Sequence, residues 1–231
     1  MVRAVVRAAR PWEIAVADAL AQVPRPIPVD STLLPRDAGG SGSIPRFDRS
    51  TFPPARRAAT LVLLYPGAGG DLHLPLTVRQ SALRNHAGEV SLPGGAVEPD
   101  DPSPQAAALR EGAEEVGLDP RDVLVHGALD QIWIPVSNFE LRPIVATLPS
   151  RPSLIAQVDE VAAIVELPVS HLLSRDALVE ELIELRGMSL HAPVYRYAGE
   201  RIWGATARTL TMLATVLRLV DPTFLRVPPE T

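Results

Sequence analysis

The chain has 231 residues, enough for one globular domain with a sizeable core, or for a domain plus an arm. Hydrophobic residues make up 46 %, which excludes a disordered chain, and aromatics only 4 %, so the core must be built mainly from Leu, Val, Ile and Ala. Asp and Glu number 27 against 22 Lys and Arg, and the net charge of −5 argues against broad nucleic-acid binding.

Cys is absent, which rules out disulfides, thiolate metal sites and Cys nucleophiles. Every fixed positive side chain is Arg, and a few local Arg residues suffice to hold an anionic small molecule. Residues 1–22 carry Arg3, Arg7 and Arg10, but Pro11, Glu13 and Asp18 interrupt the apolar stretch, a poor signal peptide. No run of about eighteen apolar residues occurs, so no transmembrane helix and no membrane partner is expected. The expected location is cytoplasmic.

In chain order, Pro11 to Val23 reads as a short helix with Pro11 in its first turn. Residues 24–57 are rich in Pro, Gly, Ser and Arg, including Gly39-Gly40-Ser41-Gly42, and read as a linker or irregular arm. Ala59 to Tyr65 reads as a buried strand, and Leu72 to Arg79 as its partner after the turn Gly67-Ala68-Gly69-Gly70. Ser103 to Val116 is the clearest helix: Ser103 caps it, Pro104 opens it and Gly117 stops it. Strands are predicted over 123–134, 141–148 and 161–167. A helix is predicted within 168–185, with 178–185 readable as strand, and an amphipathic helix over about 205–220. This order predicts an α/β sandwich around a mixed sheet, with an arm over 1–57, a domain over 58–222 and a tail over 223–231.

The helix carries Arg110-Glu111-Gly112-Ala113-Glu114-Glu115. At about 100° per residue, Glu111, Glu114 and Glu115 fall within about 100° of one another, and Ala106, Leu109, Ala113 and Val116 take the opposite, core-facing side. Taken alone, such a face is more often merely solvated. It becomes informative because Gly94-Gly95, where backbone can approach a ligand closely, precedes it by fifteen residues. Carboxylates converging on one edge suit a hard divalent cation.

This constellation resembles the Nudix box, G-x5-E-x7-R-E-U-x-E-E-x-G-U, with U a bulky apolar residue. Gly95 matches the first Gly, and Arg110, Glu111, Glu114, Glu115, Gly117 and Leu118 match the helical half. Asp101 stands at the acidic position after the loop, one extra residue separates Gly95 from Arg110, and Gly112 replaces an apolar residue. The extra residue and the small Gly112 are similar to the coenzyme A diphosphatase branch of that family. The segment Leu76 to Gly95 also resembles that branch's own signature, L-T-x-R-x-x-x-L-R-x-H-x-G-x-V-x-x-P-G-G.

The resemblance implies a Nudix fold, an α/β/α sandwich, and a metal-dependent pyrophosphohydrolase. It implies that Glu111, Glu115 and Glu114, with the Gly95 carbonyl, hold Mg²⁺ or Mn²⁺. Glu114 and Glu160 are the candidate catalytic acids, and Arg110, grouped with them, is better read as holding a glutamate in its rotamer. Arg79 and Arg84 are candidate phosphate contacts, and His86 is better read as positioning the loop than as a base. Trp203 either stacks on adenine or fills the core, and the core reading is favoured. The expected substrate is coenzyme A or an acyl-CoA, cleaved to 3′-phosphoadenosine 5′-phosphate and 4′-phosphopantetheine. ADP-ribose, NADH, a capped RNA end and a non-catalytic nucleotide-binding module are the alternatives. A homodimer is compatible with this reading.

Overall fold

The computed structural model describes residues 7–29, 36–38, 49–80, 89–185 and 188–227. Helix α1 spans Pro11–Gln22 and buries Trp12, Val16, Ala19 and Leu20. Its Glu13 is 0 % exposed. That carboxylate is held by Arg7 Nη1 at 2.6 Å, by the Arg10 N–H at 2.8 Å and by the Thr147 hydroxyl at 2.6 Å. A buried carboxylate is tolerated when it is paired and hydrogen-bonded in this way. The arm over 24–57 is not uniformly irregular: Arg36–Asp37 (β1) pairs with a strand far along the chain, and Ile27 is buried.

Strand β2 (Arg56–Pro66) organises the molecule. It runs parallel to β8 (Phe139–Thr147) and antiparallel to β3 (Leu72–Arg79) and β5 (Gly94–Ala96), so the sheet is mixed. Strands β4 (Val90–Ser91) and β9 (Val161–Pro168) extend it beside β3; β6 (Leu124–Ala128) and β7 (Ile132–Ile134) extend it beside β8. Alternation along β2 decides the layers. Leu61, Leu63 and Tyr65 pack with helix α2 (Pro104–Val116), whereas Val62 and Leu64 join the core containing α1 and helix α4 (Gly204–Leu217). The result is the predicted α/β/α sandwich around a mixed sheet.

Helix α2 begins as predicted, with the Ser103 hydroxyl accepting the Ala106 N–H at 3.2 Å, and ends at Gly117 in the left-handed region. Its buried face differs from the predicted one. Val116 is buried and Leu109 packs partly buried against the core as expected, but Ala107, Ala108, Gly112 and Glu115 are the other buried residues, in place of Ala106 and Ala113. Gly112 is the reason: a Cβ there would lie 2.8 Å from Leu61 Cδ2, so the missing side chain lets the helix settle onto β2.

One further reading is corrected, one alternative is decided, and one region was not foreseen. The single strand predicted over 123–134 is two, β6 and β7, with an irregular register beside β8 between Val125 and Gly127. Within 168–185 the chain forms a short helix α3 (Val169–Leu173) and then strand β10 (Leu178–Leu185). Strands β11 (Met188–Tyr197) and β12 (Glu200–Ile202) were not foreseen; they form a second antiparallel sheet with β10 and β1. Among the described residues, no helix is long and apolar enough to cross a membrane.

Candidate active site

The segment from β4 into β5 brings the site together. Leu61 N–H donates to the Pro93 carbonyl at 2.8 Å, fixing the turn onto β2. Gly94 has φ +156°, and a Cβ there would meet Ala59 O at 2.4 Å and Thr60 Cα at 2.6 Å, so a side chain is excluded. The Gly94 N–H donates to Glu115 Oε2 at 3.2 Å. At the next residue, a Cβ on Gly95 would fall 2.4 Å from Glu111 Oε1. Both glycines thus make room for acids of α2, one by its N–H and one by its lack of a side chain.

Glu115 is 5 % exposed, and burial pushes its carboxyl up to about 7; the charges of Glu111 and Glu160 add to this, while the Gly94 N–H and Arg79 oppose it. Burial also raises Glu111, against the pull of Arg110 and with further repulsion from Glu114 and Glu160. Glu160 lies in the exposed turn before β9, anchored by Gln80 N–H donating to its carbonyl at 2.9 Å. Its field reaches both glutamates, so the fold gathers Glu111, Glu115 and Glu160 at one edge. Glu114 adjoins Glu111 through their shared Arg110 but is the more exposed, its side chain 59 % accessible.

Arg110 does not face open solvent as a free cation. Its guanidinium donates to Asp101 at 3.0 and 3.3 Å, Glu111 at 2.9 Å, Glu114 at 3.0 Å and the Ala96 carbonyl at 3.1 Å. That fork ties the loop to the helix and fixes Glu111, a positioning role. Asp101, which stands where the box has Glu, is the acid that anchors it.

Beside β5 lies a cleft of about 700 Å³, and the glutamates of α2 are not among the residues that line it. Gly94, Gly95, Thr60 and Arg79 line one end; Ile134, Phe139, Leu141, Ile183, Leu190 and Ala192 make an apolar wall. Arg79 Nε is buried without a hydrogen-bond partner, as is the Thr60 hydroxyl. Trp203 is a correction: it is only half buried, packs against Ile183, Ala192 and Val194, and lines the cleft. The first turn of α4, Gly204 to Thr206, also lines it, and no side chain caps that helix start. Arg84 and His86 lie outside the described residues. His126 is bound to Thr147 at 2.8 Å and His73 to the Asp71 carbonyl at 3.0 Å, both structural contacts.

The sequence reading missed Arg56, Thr60, Phe139, Leu141 and the residues of β10 and β11. Alternation along β2 places Arg56, Ala58 and Thr60 on one face, a signal present in the sequence. Nothing local marks Phe139 or Leu190, because the strands that carry them meet only in the fold.

A hard divalent cation suits this edge: the available donors are all oxygens, two of the acids are drawn out of water, and Gly95 leaves space beside Glu111. Among the described residues, no three acids already enclose a metal-sized position, and Arg110 holds Glu111 and Glu114 in its place.

The family model of the NUDIX domain matches residues 55–183. An uncharacterized Nudix hydrolase NudL of Citrobacter koseri is 38 % identical over 159 residues, 69 % of this chain and 81 % of that protein. Nudix hydrolase 15, mitochondrial, of Arabidopsis thaliana is 36 % identical over 192 residues, 79 % of this chain and 66 % of that protein. Among solved structures, a MutT/nudix family protein from Enterococcus faecalis has the same fold with a TM-score of 0.50 at 16 % identity, over 73 % of this chain and 68 % of that one.

Proposed function

The chain belongs to the Nudix hydrolase family and is a pyrophosphohydrolase, and from that premise we propose that its substrate is coenzyme A or one of its esters. The observation that carries this reading is the shape of the cleft: a glycine-and-arginine end beside the acidic edge continues into a long apolar wall. The pyrophosphate lies against Gly94, Gly95 and Arg79, and the pantetheine arm lies along Ile183, Leu190 and Ala192. The resemblance of residues 76–95 to the coenzyme A diphosphatase signature supports the same choice. ADP-ribose and NADH share the pyrophosphate but lack a long flexible arm to use that wall.

Nudix hydrolases generally use divalent metal ions. Here Glu111, Glu115 and the Gly95 carbonyl would hold one, Mg²⁺ or Mn²⁺, with the exposed Glu114 beside them. When bound, such an ion neutralises charge developing on the phosphoryl oxygens and lowers the pKa of water. Arg79, whose Nε has no hydrogen-bond partner among the described residues, donates to the substrate phosphates. Glu160 accepts the proton of the attacking water. Arg110 keeps Glu111 in place. The water oxygen ends on one product as the bridging P–O bond breaks, giving 3′-phosphoadenosine 5′-phosphate and 4′-phosphopantetheine.

Incubation with coenzyme A and Mg²⁺ or Mn²⁺, followed by product mass analysis, tests this reading. These two products are expected; release of inorganic phosphate alone, or no cleavage by the folded protein, contradicts it.

A further inference from the structure

Three charged residues line the cleft: Arg79, Glu89 and Arg56. Arg79 and Glu89 border the glycine end. Arg56 sits at the start of β2, directly beside Phe139 in the parallel pairing with β8. Its guanidinium carbon lies over the Phe139 ring, 4.6 Å from the centroid. Among the described residues it has no carboxylate partner. Its neighbour Arg57 alternates to the opposite face, where it lines a separate polar hollow near the start of α2.

Arg56 is exposed at the rim of the cleft, with apolar residues of the wall beside it. The Phe139 ring restrains it, so less side-chain freedom is lost when an anion binds. Register also separates it from the scissile group: Gly94 pairs with Thr60, four residues along β2 from Arg56. Four residues of strand span roughly 13 Å, and an arginine side chain covers part of that gap.

We propose that Arg56, stacked on Phe139, is a specificity residue that reads a second phosphate carried on the ribose of the substrate, away from the pyrophosphate that is cut. This rests on the reading of the cleft as the site of a nucleoside pyrophosphate, and it names the group that distinguishes coenzyme A from its dephospho form. The contact holds the ribose phosphate equally in the ground state and the transition state, so it acts on capture of substrate and not on the chemical step.

The test compares coenzyme A with dephospho-coenzyme A as substrates for the parent, Arg56→Gln and Arg57→Gln. The parent is expected to favour coenzyme A. Arg56→Gln should lose at least about tenfold in kcat/KM for coenzyme A through KM, with dephospho-coenzyme A unchanged. Arg57→Gln should behave as the parent. Phe139→Leu should give a smaller loss of the same selectivity. Equal losses on both substrates, or no loss, overturn the proposal.

Calorimetry with adenosine 3′,5′-bisphosphate and AMP separates this from the substrate reading. If coenzyme A is not hydrolysed, that reading fails, yet a preference for the bisphosphate that Arg56→Gln abolishes still supports Arg56. A parent with no preference overturns the proposal whatever the substrate proves to be.

Discussion

Gly95 and Glu111 are fitted to each other: a Cβ on the glycine would lie 2.4 Å from Glu111 Oε1 and 2.7 Å from its carboxyl carbon. The loop glycine is therefore the room in which the carboxylate sits. Gly95→Ala should displace the end of a flexible side chain, which the fold absorbs, while moving a proposed metal ligand. The expected outcome is a melting temperature close to the parent's and a loss of at least about tenfold in kcat. Parent-like turnover in the folded variant would detach Glu111 from the chemistry.

Glu111→Gln and Glu115→Gln should each lower turnover by at least about a hundredfold, because metal stabilisation supplies several kcal/mol. The apolar face of α2 is untouched, so both variants should fold. A second readout is independent of activity: a ligand that binds only the folded state raises its stability. Mn²⁺ should raise the melting temperature of the parent and not of the double variant. An equal rise in both would place metal elsewhere.

Gly112 of α2 sits against Leu61 of β2, with 2.8 Å left for a Cβ. Restoring a bulky apolar residue there, as Gly112→Leu, should overpack the interface and cost about 1–3 kcal/mol. Adding Leu61→Ala should recover part of that loss in denaturant melts, since contacting residues couple. Simple additivity would mean that the helix is not seated on Leu61.

How far the sequence could be read follows from where each signal was stored. Helix α2 was legible end to end, because Ser103, Pro104 and Gly117 are local signals. So were β2 and β3, written as apolar runs. The second sheet was hidden: Leu178–Leu185 mixes Glu with Leu and Ile in a pattern that fits helix or strand, and Pro193 interrupts the reading of β11. The turn between β11 and β12 uses Ala198 at φ 51° and Gly199 at φ 84°, a two-residue reversal without the Asn-Gly signature. The acidic edge was foreseen through Glu111, Glu115 and Gly95. The apolar wall was not, because β7, β8, β10 and β11 supply it from distant parts of the chain.

The N-terminal arm gives a prediction on stability and pH. Burial alone pushes the Glu13 carboxyl up, but Arg7, the Arg10 N–H and Thr147 outweigh it and hold it below the ordinary carboxylate value. A depressed folded-state value contributes stability above the unfolded value, and that contribution is lost as pH falls through the folded one. Glu13→Gln should cost about 1–3 kcal/mol at neutral pH. It should also flatten the fall in melting temperature on acidification. An unchanged acid slope would show that Glu13 does not carry the dependence.

The central claim is the substrate. The acids and glycines proposed to hold metal and pyrophosphate would touch only the group that every Nudix substrate shares, so choice would come from the wall and its charged ends. The decisive measurement is kcat/KM for coenzyme A, ADP-ribose and NADH under one metal condition, with product masses read in ¹⁸O-labelled water. Coenzyme A should lead by at least about a hundredfold, with one labelled oxygen in the products. A better rate with ADP-ribose or NADH would contradict the assignment and leave only the pyrophosphohydrolase.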